Sequence, residues 1–230
     1  MERARQTLSK PFPKALFATG SRDNVVEVNR HRKLAATGAL PSYAITPAVH
    51  AFDELTVAEN ISAQRQTTET LAGFWPQAPV ISPISIPRNR YPIDADAPGR
   101  KTRDDGVDPR QGSLFNAGWT IASIGALATG TPHSLTFGET SGPRGILPVE
   151  DPSVPLQSKV PYVPGGVYPV YHALADLQGA VKVLATHSSH PWITNALTVL
   201  LPDKSRRILV ANHSGGAQTI RIKTGPCEGQ

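Results

Sequence analysis

The feature that most constrains the fold of this chain is a repeated order of segments, in which a short apolar run precedes a helical run. The apolar runs cover residues 14–20, 42–47, 79–86 and 135–138. The stretches with helix-like spacing that follow them cover residues 24–37, 56–71, 108–130 and 167–177. Strands that alternate with helices form a parallel sheet with right-handed crossovers. Four such units predict half of a (β/α)8 TIM-like barrel.

The last part of the chain changes character, because short strands with tight turns replace the alternation. The predicted strands cover residues 181–185, 193–201, 207–211 and 219–222. We therefore predict an α/β protein in two parts: residues 1–178 form a partial barrel of four βα units, and residues 179–225 form a small antiparallel β domain. A free-standing four-stranded α/β layer is the alternative, but the Gly-rich fingerprint of a nucleotide-binding fold is absent.

Capping signals mark the starts of two predicted helices. Thr56 and Glu59 have the spacing of a capping box, which predicts a helix from Thr56 to about Leu71. Asp108 is followed by Pro109, the order expected for an N-cap and the first helical residue, and this helix is expected to end at Gly130.

Charge and cysteine usage narrow the classes of partner. The net charge is +5, but the basic residues are scattered and no nucleic-acid-binding signature accompanies them. Cys227 is the one cysteine, so an intrachain disulfide framework and a cysteine zinc site are excluded. No apolar run long enough for a signal peptide or a membrane span occurs. We expect a cytoplasmic protein with neither a nucleic-acid nor a membrane partner.

Glu139 follows the fourth predicted strand, and a turn rich in Gly, Pro, Ser and Thr comes directly after it. The carboxyl ends of strands are where α/β barrels keep their catalytic residues, so Glu139 is a candidate base or nucleophile. Arg144 is a candidate for holding substrate. The alternative is that Glu139 and Arg144 simply pair with each other.

Two further loops at strand ends carry candidate residues. His50 follows the second strand, and Asp53 lies three residues later, so the two predict a proton donor and the carboxylate that orients it. The alternative is that Asp53 caps the next helix and His50 binds a loop carbonyl. Asn24, after the first strand, either binds substrate or caps a helix. His187 and His190 fall in a turn, so we expect no metal site, and no cofactor is expected.

Several segments, in order along the chain, resemble D-apionate lactonases. They are Thr19–Arg30, Ile45–Asp53, Val107–Phe115, Gly138–Gly145, Tyr168–Asp176 and Leu209–Asn212. The resemblance implies the C-terminal half of the barrel followed by the family's C-terminal β domain. It also implies hydrolysis of a sugar-acid lactone, a small-molecule substrate, with Glu139, His50 and Asp53 as catalytic residues and with Arg144 and Asn24 binding substrate.

The sequence also departs from the family pattern. The family has Asn-Pro-Gln where this chain has Thr46-Pro47-Ala48, and it has a Trp where this chain has Pro143. Loss of that Trp removes an aromatic ring that stacks on a sugar, which bears on substrate fit.

Two alternatives to a complete lactonase stay open. One is a glycoside-hydrolase-like enzyme, in which Glu139 is one of two carboxylates. Another is a truncated, non-catalytic remnant or binding module. A half-barrel also leaves an exposed strand edge, which predicts a homodimer that closes the barrel.

Overall fold

The computed structural model describes residues 2–87, 106–151, 153–154 and 157–225. Four parallel strands form the main sheet in the order β1-β2-β3-β4. Their bounds are Ala18–Gly20 for β1, Leu40–Ile45 for β2, Val80–Ile84 for β3 and Ser134–Phe137 for β4. Neighbours in the sheet are also neighbours in the chain, so each crossover advances by one strand, as in a barrel.

The α-helices are short except for two. Their bounds are Glu2–Leu8 for α1, Val25–Arg30 for α2, Glu54–Glu59 for α3, Ile61–Ala72 for α4, Leu114–Ala128 for α5 and Pro169–Ala175 for α6. Short 3-10 helices cover Arg32–Thr37, Pro109–Gly112 and Gln157–Lys159. The helix that the sequence predicts over 24–37 is thus an α-helix followed by a 3-10 helix, and Gly38 ends it with a φ of 64°.

The two predicted helix starts have different outcomes. Asp108 accepts a hydrogen bond from the Arg110 amide and caps a 3-10 helix, whereas Ser113 caps α5 itself. The capping box at Thr56 is wrong. The residue that caps α3 is Asp53, whose carboxylate accepts from both the amide and the hydroxyl of Thr56. A carboxylate reaches the free amides of the first turn at least as well as a hydroxyl, which explains the earlier start.

One face of the parallel sheet packs against the helices. Tyr43, Ile81 and Leu135 are in register across β2, β3 and β4 and point toward the core, where Trp75 and Trp119 are almost fully buried. The opposite face carries small residues. Ser42, Val80 and Ser134 are in register there and stay partly or fully exposed.

Helix α5 lies between two hydrophobic cores. Trp119, Ala122 and Leu127 pack into the core beneath the parallel sheet, while Ile121 and Ile124 pack into a second core. The second core includes residues of α6 and of the C-terminal strands. Because both faces are buried, this helix is apolar almost all round, as a central helix must be.

Two short strands follow β4 in the chain and pair with each other, Glu139–Ser141 as β5 and Gly145–Leu147 as β6. The C-terminal part is an antiparallel sheet of three strands, which are Lys182–Leu184 as β7, Thr194–Leu200 as β8 and Arg206–Asn212 as β9, and they lie in that order. The fold predicted from the sequence is confirmed in these features, a parallel sheet of βα units followed by a separate antiparallel sheet. The fourth predicted strand of this part, over 219–222, is wrong, since those residues pair with no strand.

None of the helices in the described part of the chain has the length and apolar character that crossing a membrane requires.

Candidate functional site

The candidate residues follow the carboxyl ends of three strands of the parallel sheet. Asn24 lies after β1, His50 and Asp53 after β2, and Glu139 after β4. The strand order places the Asn24 loop beside the His50 loop, whereas β4 is two strands from β2, about 10 Å at normal strand spacing. All the candidates therefore lie along one edge of the sheet, with the end of β3 between the two groups.

A tight turn presents Glu139. The preceding Gly138 has a φ of 62°, and a Cβ there would lie 2.8 Å from the Arg144 carbonyl oxygen, so only glycine fits. Glu139–Ser141 forms β5 and Gly145–Leu147 forms β6, which pair in parallel register. The turn thus fixes the backbone on both sides of Glu139.

Glu139 forms an ion pair with Arg144. The Arg144 Nε donates to Glu139 Oε1 at 2.8 Å, and the two side chains are 44% and 50% exposed respectively. The pairing that the sequence leaves as an alternative is therefore present. At this exposure the pair contributes little to stability, because water screens the two charges.

Asp53 is the N-cap residue of α3. Its two carboxylate oxygens accept from the Thr56 amide at 2.9 Å and from the Thr56 hydroxyl at 2.8 Å. The hydrogen bond from the Thr56 amide, followed by that from the hydroxyl, lowers the pKa of Asp53. Among the described residues no hydrogen bond joins Asp53 to His50, whose side chain is exposed.

An ion pair that the sequence reasoning missed lies beside these residues. The Arg110 guanidinium donates to both carboxylate oxygens of Asp108, at 2.9 and 2.6 Å, and the side chains are only 17% and 10% exposed. The hydrogen bond to Asp108 is the main cause of the raised pKa of Arg110, and the charges of Glu54 and Asp53 add to it. Arg110 therefore lies close to the start of α3.

The residue after Arg110 reaches the other group of candidates. Gln111 Nε2 donates to the Gly145 carbonyl oxygen at 2.7 Å and so holds β6 beside Glu139. The 3-10 helix Pro109–Gly112 thus contacts the loop after β4 on one side and lies near the start of α3 on the other. The Asp-x-Arg spacing at a helix start is the sequence signal that indicates this ion pair. An ordinary helix N-cap has the same pattern, so the spacing alone does not distinguish the two.

A cavity of about 490 Å³ opens next to the end of β2. Its walls come from α2, from the residues after β2 and from α3 and α4, and both Asn24 and His50 lie on it. Gln64 lines the cavity as well, although it is only 3% exposed. Two residues that the sequence predicted for one site are therefore brought to a common space.

The sequence of residues 1–182 matches the model of the TIM barrel domain of D-apionate lactonase. The chain belongs to the D-apionate lactonase family. A curated relative, the D-apionate lactonase of Brucella anthropi, is 24% identical over 173 residues, which are 73% of this chain and 27% of that protein. The resemblance found in the sequence is thus confirmed, and the chain spans about a quarter of the length of that lactonase.

A solved structure supports the fold assignment. The GH51 arabinofuranosidase from Xanthomonas axonopodis pv. citri is similar to this chain with a TM-score of 0.56 and 12% identity. The similarity covers 94% of this chain and 47% of the arabinofuranosidase chain. At this identity the similarity shows the fold alone and says nothing about function.

Proposed function

We propose that the edge formed by the loops after β1, β2 and β4 hydrolyses the lactone of a sugar acid. The observation that carries the proposal is Glu139, a half-exposed carboxylate paired with Arg144 at the end of a barrel strand, in a chain of the D-apionate lactonase family. A carboxylate and a guanidinium side by side offer a base for water and a partner for a developing negative charge.

The chemistry assigns each group a role. Glu139 takes a proton from water, the water oxygen bonds to the lactone carbonyl carbon, and Arg144 faces the oxyanion that forms. The ring C–O bond then breaks, and His50 donates a proton to the leaving alkoxide, which gives the open hydroxy acid. For this to happen the substrate must draw Arg144 away from Glu139, since a paired carboxylate is a weaker base.

The remaining residues position these groups. Asp53 fixes the start of α3, three residues after His50, and thereby the loop that carries the proposed acid. Asn24, on the neighbouring loop, is the proposed hydrogen-bond partner of a substrate hydroxyl. Gln111 holds β6 beside Glu139, and Arg110 interacts through its charge with Glu54 and Asp53 at the start of α3.

The test is aldonolactone opening, measured by acid release at constant pH. We expect Glu139→Gln to lower the rate about 100-fold or more, the usual effect of losing a general base. The matched control is Glu69→Gln, since Glu69 forms a similar exposed ion pair with Arg65 at 2.7 Å, on α4. This control should leave the rate unchanged.

Two results would contradict the proposal at different levels. Equal rates for the wild type and Glu139→Gln would remove the role given to Glu139. A wild-type rate no faster than the uncatalysed one would remove lactone hydrolysis as a function of this chain, and binding of a lactone without turnover would then favour a binding module.

A further inference from the structure

The C-terminal antiparallel sheet has one covered face and one open face. On the covered face Leu197 packs into the second hydrophobic core and is almost fully buried. On the open face Ala196 and Thr198 of β8 are in register with Val210 and Ile208 of β9, and all four are at least partly exposed. A cavity of about 740 Å³ lies against this open face, and its volume is within the range of small-molecule sites.

Residues 218–225 form the other wall of this cavity, which we call the C-terminal groove. At the start of the segment Gln218 Nε2 donates to the hydroxyl oxygen of Ser214, in the turn after β9, at 3.1 Å. At its end the Arg206 guanidinium, on β9, donates to the Gly225 carbonyl oxygen at 3.2 Å. Hydrogen bonds therefore hold both ends of the segment against the sheet.

Positive charge is concentrated in this part of the chain. Residues 179–225 contain six Lys or Arg residues and one acidic residue, Asp203, so they carry the whole net charge of +5 and the rest of the chain is neutral. Arg206, Arg221 and Lys223 line the groove, whereas no Asp or Glu lies among its described wall residues. Within the described chain neither Arg221 nor Lys223 takes part in an ion pair. A cleft lined by charges of one sign attracts ligands of the opposite sign.

Aliphatic side chains around the groove are unusually exposed for their type. Val210, Ile220 and Ile222 are 40%, 43% and 53% exposed, and all three line the groove. A ligand that covers them gains the free energy of removing apolar surface from water, which a small inorganic anion cannot do. The groove therefore combines an attraction for negative charge with a surface for an apolar group.

We propose that the C-terminal groove binds a small organic anion, whose apolar body lies against the aliphatic wall and whose carboxylate faces Arg221 and Lys223. The groove belongs to a different sheet from the Glu139–Arg144 pair, which follows β4. The proposal does not rest on lactone hydrolysis, because its measure is binding rather than turnover.

Two probes of nearly the same shape test the charge. 2-Naphthoate carries a carboxylate where 2-naphthamide carries a neutral amide, and isothermal titration calorimetry measures the affinity of each. We expect 2-naphthoate to bind about five-fold more tightly at low salt, a difference of about 1 kcal/mol, as two exposed ion pairs provide. The preference should nearly vanish in about 1 M sodium chloride, where the Debye length is about 3 Å. Inorganic phosphate lacks the apolar body and should bind more weakly than 2-naphthoate.

Variants locate the site. Arg221→Gln combined with Lys223→Gln should abolish the preference for 2-naphthoate. The matched control is Lys10→Gln combined with Lys33→Gln, which removes the same charge at exposed positions of the partial barrel and should keep the preference. Ala196→Phe places a ring on the open face of the sheet and should weaken binding of both probes. In ¹H–¹⁵N spectra the amide shifts caused by 2-naphthoate should map to β9 and to residues 218–225.

Four results would overturn the proposal. They are equal affinity of the two naphthalene probes for the wild type, absence of binding by either at millimolar concentration, binding of phosphate as tight as that of 2-naphthoate, or an undiminished preference in the variant that lacks Arg221 and Lys223. Glu139→Gln should bind 2-naphthoate as the wild type does, so loss of lactonase activity and loss of this site are distinguishable.

Discussion

A single carboxylate at residue 53 carries two interpretations, a helix cap and an orienting group for His50, and one pair of substitutions separates them. Asn is as good an N-cap as Asp, whereas Ala is a poor one. We expect Asp53→Asn to keep the thermal stability of the wild type and Asp53→Ala to lower the melting temperature by a few degrees, as measured by circular dichroism.

The same two variants bear on catalysis. If Asp53 acts only by holding the start of α3, lactone opening by Asp53→Asn matches the wild type while Asp53→Ala is slower. A rate that falls equally in both variants would mean that the negative charge itself takes part, and the capping interpretation would then be insufficient.

Because the ring of His213 is buried, we expect the stability of the folded protein to depend on pH. The ring is 7% exposed and contacts Phe115 edge-on at 6.0 Å between ring centroids, and burial lowers the pKa of His213 below 6.5. The unfolded chain therefore takes up a proton at a higher pH than the folded one. The free energy of unfolding that His213 contributes is fully present above about pH 6.5. It decreases as the pH falls toward the lowered pKa of His213 in the folded protein, by at most about 1.4 kcal/mol per pH unit.

Urea unfolding between pH 7 and pH 5 measures this effect. We expect His213→Leu to lose most of the slope in that window, because unperturbed carboxylates titrate only near pH 4. The control is His133→Leu, at an exposed position, which should keep the wild-type slope. An unchanged slope in His213→Leu would show that another group is responsible.

Among the helices and strands, α5 is the element that contributes side chains to both hydrophobic cores. Leu127 is fully buried on this helix, whereas Leu114 at its first position is 80% exposed. We expect Leu127→Ala to lower the free energy of unfolding by about 2–5 kcal/mol and Leu114→Ala to change it by less than about 0.5 kcal/mol. Urea unfolding monitored by Trp fluorescence compares them, and similar losses would contradict the central place of α5.

The helices and strands could be predicted from the sequence more completely than the contacts between them. The periodicity of apolar residues depends on local sequence, so the alternation of strands and helices and the strands around Leu197 and Leu209 followed from it. The start of α3 did not, since Asp53 and Thr56 are both good caps and only the tertiary position of the loop decides between them. The cavity beside the end of β2 depends on residues from separate elements, which no spacing in the sequence reveals. The Asp108–Arg110 pair has a local Asp-x-Arg spacing, but an ordinary helix cap has the same pattern.

For the whole molecule, the parallel sheet has two outer strands, β1 and β4. On β1 the Phe17 carbonyl oxygen accepts from the Leu40 amide, and the Ser21 amide donates to the Ser42 carbonyl oxygen. Because polar groups alternate sides along a strand, the amide and carbonyl of Ala18 point toward the outer edge. An edge of this kind accepts another strand.

We propose that a second copy of the chain supplies such a strand in the right direction. If β4 of one copy lies beside β1 of the other, and the same contact recurs about a twofold axis, eight parallel strands close into a barrel with both carboxyl edges on the same side. The partly exposed face that carries Ser42 and Val80 then becomes the interior.

Sedimentation velocity tests this assembly. We expect the wild type to sediment as a dimer and Ala18→Pro as a monomer, because proline removes the outward amide without disturbing the hydrogen bonds to β2. Ala18→Gly keeps the amide and should stay dimeric. A wild type that is monomeric throughout the micromolar range would contradict closure by a second copy.

If lactone opening follows the dimer across a dilution series, the wall that faces Glu139 is supplied by the partner; a rate per chain that is independent of dilution would show that each copy works alone.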